Sequence, residues 1–435
     1  MAWCGSRWRS GGRALSAGRC AASLDRELGS TKRLRVLHLA TVPFRAEEGV
    51  SRAMTALAEH LPAETEGAVE SHLAADRPDG DAFAGHHLLT HWQPGRLLTG
   101  RALHRLMAEA DPQLVHLHGG ILAPSLALSR ALQRLPVVAT VYQLLPVPRH
   151  ELGFHPLGDA RRSSLRPARI AASAVAGLPL ARRLLALGGI EAVCTPDPRV
   201  GEALRRYGPV LMARGGASPS PLTAVWADPP TIGFAGRAEP GRGVEELIAA
   251  VALLRQEIPG IRLRLLLLPG PAAERWRESH GHDPRIELSI GVRRLDAELA
   301  RCQVVALPFR IPATITPPLV AAEAMSMGVP VVATPLSCIT PLIRSGVNGV
   351  LARDMSPAAL ADALRSALAD RATWTRLSDG ARRTIADDWS WAGAAAVTGE
   401  AYAIALARHR VRTERSGSHR VSTVPSPFTL RDARS

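Results

Sequence analysis

Aromatic side chains are scarce in this 435-residue sequence, with three Tyr and six Phe. That is too few to build the stacking platforms on which single-stranded nucleic acid is held. The five cysteines (Cys4, Cys20, Cys194, Cys302 and Cys338) are widely spaced, odd in number and form no C-x-x-C pair. A disulfide or zinc framework is thereby excluded, and free thiols in a reducing, cytoplasmic compartment are expected. No uninterrupted apolar run reaches membrane-spanning length. The nearest, Ile170 to Leu187, is broken by Pro179, Arg182 and Arg183, so no transmembrane helix is expected. The first thirty residues scatter Arg7, Arg9, Arg13 and Arg19 among Gly, Ser and Ala, without the apolar core of a secretory signal.

What is present is a basic, well-balanced globular composition: 46% hydrophobic, 21% charged and a formal charge of +14. The charge sits largely at the ends. Residues 1–33 and 408–435 each hold seven Lys or Arg against two acids, leaving about +4 for the body. Such a body charge is ordinary, and no nucleic-acid partner is expected. The length is too great for one comfortable core and suggests two domains.

Short runs rich in Val, Ile and Leu alternate with segments of helical period, the pattern of parallel sheets covered on both faces; the expected class is α/β. Strands are expected at Arg35–Ala40, Leu114–Leu117, Val137–Val141 and Ala192–Cys194, and again at Thr231–Ala235, Arg262–Leu268, Val304–Leu307 and Val331–Thr334. The proline-rich, aperiodic stretch Ala217 to Pro230 is expected to link two halves. Ligands of open α/β sheets lie beyond the carboxyl ends of the strands, so chemistry is sought there.

After the strand Thr231–Ala235 comes Gly236-Arg237-Ala238-Glu239-Pro240-Gly241-Arg242-Gly243, and then a helix. Glycines let backbone amides approach an oxyanion, and arginine offers a two-pronged fork to phosphate; a solvated βα loop is the alternative. A second segment, Pro318-Leu319-Val320-Ala321-Ala322-Glu323-Ala324-Met325-Ser326-Met327-Gly328-Val329-Pro330, buries one carboxylate, Glu323, in an apolar helix. A buried carboxylate needs a partner, either an arginine or amide of the protein or a pair of ligand hydroxyls.

The order G-R-x4-R-G followed by E-A-M-x-x-G-x-P-V-V-A-T resembles the retaining glycosyltransferases of family 4. The likeness extends to Ser289-Ile290-Gly291, to Val305-Ala306-Leu307-Pro308, to Ser345-Gly346-Val347-Asn348-Gly349-Val350-Leu351 and to Asp387–Trp391. It implies the GT-B fold, two Rossmann-like, doubly wound parallel-sheet domains facing a central cleft. On that basis residues 1–33 form a disordered basic extension, 34–217 an acceptor-side domain, 218–230 a linker and 231–390 a nucleotide-sugar domain. Residues 391–408 form a helix returning to the first domain, and 409–435 a disordered basic tail.

The resemblance implies retaining, metal-independent transfer from a nucleoside diphosphate sugar to an unidentified acceptor hydroxyl, with no further cofactor and no metal ligands. Donor contacts fall to Gly236, Arg237, Arg242, Glu323 and the amides of Leu319 and Val320. In Leu114-Val115-His116-Leu117-His118, alternation puts both histidines on one face. His118, nearer the strand end, is expected at the reacting sugar, and His116 in the core. Gly49 and Tyr142 are expected on the acceptor side.

Four positions depart from the family pattern, one being Thr316-Pro317-Pro318 in place of Gly-Phe-Gly, where proline offers no N–H to the donor phosphates. Ile315 stands where a glutamate is common eight residues before Glu323, Tyr142-Gln143 replaces a histidine-containing segment, and Glu48-Gly49 replaces a Gly-Gly pair. Two rivals therefore stand beside the transferase: a degenerate nucleotide- or partner-binding GT-B protein, and a GT-B nucleotide-sugar epimerase. The basic tails and Arg161–Leu187 raise weak peripheral contact with anionic lipid, a solvated helix face being the alternative.

Overall fold

The computed structural model describes residues 17–29, 33–45, 48–89, 101–143, 176–310 and 315–418. Two sheets organise the chain. The first holds β1 (Leu34–Ala40), β2 (Val69–Ala75), β3 (Gly85–Leu88), β4 (Leu114–Gly119), β5 (Val137–Val141), β6 (Ala192–Thr195) and β7 (Val210–Met212), in the order β3-β2-β1-β4-β5-β6-β7. The second holds β8 (Thr231–Gly236), β9 (Arg262–Leu267), β10 (Ile286–Ile290), β11 (Val304–Leu307), β12 (Val331–Ala333) and β13 (Gly349–Leu351), in the order β10-β9-β8-β11-β12-β13. All pairings between these strands are parallel.

Both orders reverse direction beside the first strand of the sheet, between β1 and β4 and between β8 and β11. That reversal opens a crevice at the carboxyl ends, the position where doubly wound sheets bind ligands. The central strands β4, β5, β11 and β12 are buried along their whole length, β11 and β12 as unbroken apolar runs and β4 and β5 with His116, His118 and Thr140 among their apolar residues.

The helices of the first domain are α1 (Ala17–Leu28), α2 (Gly49–Glu64), α3 (Arg101–Ala110), α4 (Leu178–Ala186) and α5 (Pro198–Leu204). In the second follow α6 (Val244–Leu254), α7 (Pro271–His280), α8 (Leu295–Ala300), α9 (Leu319–Ser326), α10 (Pro357–Ala367) and α11 (Arg371–Asp388). Several are capped by the residue types that satisfy free N–H groups at a helix start. Asp197 accepts from Arg199 N, Ser356 from Ala359 N and Asp370 from Thr373 N. The last helix, α12 (Trp391–Ser418), leaves the second domain and packs on α2, α1, β6 and β7 of the first. Its Tyr402 hydroxyl lies 2.8 Å from His116 Nδ1, fixing the returning helix to the buried face of β4.

Both ends differ from the sequence expectation. Within the segment expected to be a disordered extension, Ala17–Leu28 forms α1, because Cys20, Ala21 and Leu24 make one apolar stripe that α2 and α12 bury. The returning helix runs to Ser418 rather than 408. Residues 1–16 and 419–435 lie outside the described residues. So does most of the basic stretch proposed for lipid contact, 161–175; the part described, α4, turns Ala181, Leu184 and Leu185 inward, and Arg182 donates to the Ala203 carbonyl. Among the described residues no helix is long and apolar enough to cross a membrane.

Candidate nucleotide cleft

Gly236 ends β8 with φ +149°, and Gly243 closes the following loop with φ +68°. A side chain at Gly243 would run into the Pro308 carbonyl at the end of β11. Only glycine lets the loop come this close to the neighbouring strand end. The loop therefore brings Arg237 and Arg242 to the crevice. Arg242 is held over the Phe309 ring, its guanidinium carbon 4.7 Å from the centroid, a stacking that fixes the fork. Burial lowers its pKa from the ordinary value, with Glu239 opposing.

A cavity of about 690 Å³ lies between the domains, large enough for a nucleotide. Gly236, Arg237, Arg242, Leu319 and Val320 line it from the second domain, and Glu48, Gly49, Arg52 and Gln143 from the first. Six of the expected site residues, Gly236, Arg237, Arg242, Leu319, Val320 and Gly49, thus meet around one space. Pro318 is the N-cap of α9 rather than its first helical residue, so the amides of Leu319 and Val320 belong to the first turn, where N–H groups lack intrahelical acceptors.

The remaining three lie elsewhere. Glu323 faces a neighbouring cavity of about 490 Å³ that shares Arg52 and Leu319 with the first, and its carboxylate is paired with Arg52 of α2. His118 and Tyr142 are buried and do not border the main cavity; Gln143 does. Strand alternation gives the face on which His118 lies but not its depth, and α2 and α12 cover that face.

Beneath the cavity His118 joins a buried polar network. Its Nε2 lies 3.0 Å from His38 Nδ1, and its Nδ1 3.0 Å from the Tyr142 hydroxyl. His38 Nε2 meets Ser71, and His116 meets Thr140 and Tyr402. The three rings are close enough for one metal ion, yet all six ring nitrogens already have a ring or hydroxyl partner. Burial keeps them neutral: His38 is pushed down to about 3, and His116 and His118 well below the ordinary histidine value. The network reaches the second domain through the Tyr142 carbonyl, which accepts the Thr316 N–H at 3.2 Å.

Sequence reasoning missed two charged residues that close the cleft, one at the N-cap of α2 and one in its first turn. Glu48 pairs with Arg237, and Arg52 with Glu323, so one helical turn engages both expected donor contacts. Spacing of four residues puts Glu48 and Arg52 on one face, which was the available signal; their partners, 189 and 271 residues away, were not readable. At position 315 the second domain presents Ile315 to the first. A Cβ placed on Gly49 would sit 3.3 Å from the Ile315 side chain, so the two walls meet in close packing here.

The Arg52–Glu323 pair has a measurable consequence. Burial raises the Glu323 pKa, and Arg52 opposes that shift. With Arg52 gone the folded pKa rises further above the unfolded one. A raised carboxylate stabilises below the unfolded pKa, and that stability is lost as pH rises through the folded pKa. Arg52→Met is therefore expected to lose more stability relative to the parent at pH 8 than at pH 5, read from urea midpoints. An equal loss at both would mean that Glu323 is not the partner that matters.

Residues 229–370 match the family model described as Glycosyl transferases group 1. A D-inositol 3-phosphate glycosyltransferase of Xylanimonas cellulosilytica is 34% identical over 195 residues, 42% of this chain and 45% of that relative. The match thus spans less than half of the relative's length. Among solved structures, sucrose-phosphate synthase from Thermosynechococcus elongatus covers 89% of this chain and all of its own, with TM-score 0.62 at 18% identity. Anabaena Alr3699/HepE in complex with UDP-glucose gives the same coverages, with TM-score 0.59 at 15% identity. Residues 229–370 of the second domain are thus similar to the group 1 glycosyltransferases, and the two parallel sheets with the crevice between them give the chain the GT-B fold.

Proposed function

We propose that the protein transfers a sugar, a hexosyl unit in kind, from a nucleoside diphosphate sugar to an acceptor hydroxyl with retention of anomeric configuration. The observation that carries this is the convergence of Arg237, Arg242 and the first turn of α9 on one interdomain cavity. Negative charge grows on the leaving diphosphate as the glycosidic bond breaks. Two guanidiniums and the Leu319 and Val320 amides are placed to stabilise it, which lets the reaction run without a metal ion. The leaving phosphate oxygen then takes the acceptor proton on the face it has just left. UDP-glucose in the structural neighbour supports a nucleotide sugar as donor.

Glu323 lies one helical turn beyond Leu319, so a nucleotide on the helix N-terminus brings its ribose toward that carboxylate once Arg52 lets go. His118 acts at one remove in this scheme. It positions Tyr142, whose backbone meets the segment leading into α9. Gly49 belongs to the acceptor-side wall, with Tyr142 buried behind it next to Gln143, which lines the cavity.

The test is to supply nucleotide sugars with hydroxyl acceptors and read the product's anomeric configuration by NMR. The retained anomer is expected. An inverted product would contradict the scheme, an epimerised donor would point to an epimerase, and a donor that binds but is never consumed would leave a binding protein.

A further inference from the structure

Glu48 is the only carboxylate among the described residues lining the main cavity. It immediately precedes α2, makes no side-chain cap of its own helix, and points across the cleft to Arg237. Its side chain is 43% exposed, so the pair is not a sealed element of the core. Its neighbour Gly49 abuts Ile315, which puts the Glu48 carboxylate where the facing wall is aliphatic. The lining otherwise displays arginine, Gln143 and apolar side chains, so in the empty cleft Arg237 is the carboxylate's partner.

We propose that Glu48 is a donor-sugar-binding residue: it holds Arg237 in the empty cleft and passes to the sugar's hydroxyls when the diphosphate takes Arg237. The inference rests on the nucleotide-sugar reading above. A diphosphate on Arg237 brings two or more negative charges beside Glu48, and like charges at that range repel. The carboxylate must leave its arginine. The group bonded to the outer phosphate is the sugar, a neutral body rich in O–H donors, and an ionised carboxylate is purely an acceptor. Sugar hydroxyls are therefore the partner that satisfies it within reach of Arg237. Ile315 offers them none from the opposite wall, so Glu48 supplies the polar recognition on this side of the ring.

The experiment compares Glu48→Gln and Glu48→Ala with the parent full-length chain, titrating UDP, GDP and ADP, each beside its glucose conjugate. Removing the competitor for Arg237 is expected to tighten the free diphosphate about three- to tenfold. The ratio by which the conjugate outbinds the free diphosphate is expected to fall at least tenfold, and donor consumption to fall with it. If both ligands shift together and the ratio is unchanged, Glu48 is only an ion-pair partner and the proposal is overturned. A parent that binds diphosphate and conjugate equally overturns it too, since no sugar contact then exists. A parent that binds none of these nucleotides instead rejects the nucleotide-sugar reading itself. Melting midpoints of the unliganded variants, expected near the parent value because the side chain is exposed, exclude misfolding as the cause.

Discussion

Replacing Arg237 and Arg242 together by alanine is expected to weaken nucleoside diphosphate binding by about 10² to 10⁴. Hydrogen bonds to charged groups contribute about 1.5–3 kcal/mol each, and two guanidiniums lose about 3–6 kcal/mol between them. Monophosphate binding should suffer less, because the second phosphate is the group that needs both forks. The single variants should be unequal. Arg237→Ala also frees Glu48, which is left as an unpaired negative charge in the cleft. Arg242→Ala additionally removes the stacking on Phe309, so Arg242→Lys is the companion that keeps charge while losing the planar fork. Isothermal titration with the diphosphate that binds the parent best checks the order. If the double variant binds as the parent does, the phosphates lie elsewhere.

A second large effect concerns stability between pH 7 and pH 5. His38, His116 and His118 are fully buried and held neutral, with folded-state pKa values below the unfolded one. The unfolded chain takes up protons near pH 6.5 while the folded chain does not, so stability present above that pH is lost as pH falls. Each histidine contributes about 2 kcal/mol over this interval, and the three together about 5–6 kcal/mol, comparable with the whole stability of many domains. His87, also lowered by burial, adds in the same direction, and Glu323, raised by burial, opposes. Carboxylates held low, such as Asp283 at about 2, titrate below this window. Urea unfolding at the two pH values reads the slope, and His118→Asn should reduce it by about a third. A stability independent of pH over this range would mean that the histidines are charged in the fold or accessible to water.

The legible parts of the fold were those set by local pattern. The Val-, Ile- and Leu-rich runs of β4, β5, β11 and β12 gave the central strands, and the glycines and arginines after β8 gave the loop that meets α9. The edge strands β3, β7, β10 and β13 escaped, because a strand such as Gly85–Leu88 is half exposed and carries little apolar signal, and the inner strand β2 escaped because Glu70, Ser71 and His72 interrupt its apolar run. The site was legible where it follows strand ends and opaque where it depends on contact between distant segments. His116 and His118 share a face by alternation, but the meeting with His38 follows from a register that pairs His38 with His116 and Ala40 with His118 across separate strands. The pairing of Glu48 and Arg52 with the second domain follows likewise from domain closure rather than from spacing.

Nucleotide occupancy of the interdomain cavity is tested most directly by the melting midpoint of the full-length protein with a panel of nucleoside diphosphates, UDP and GDP first. A ligand at about 100 times its dissociation constant stabilises the native state by about 2.7 kcal/mol, a rise of a few degrees in domains of this size. The expected result is such a rise with one nucleoside diphosphate, absent in the Arg237→Ala/Arg242→Ala protein. No rise with any nucleotide, or a rise that survives the loss of both arginines, would contradict it.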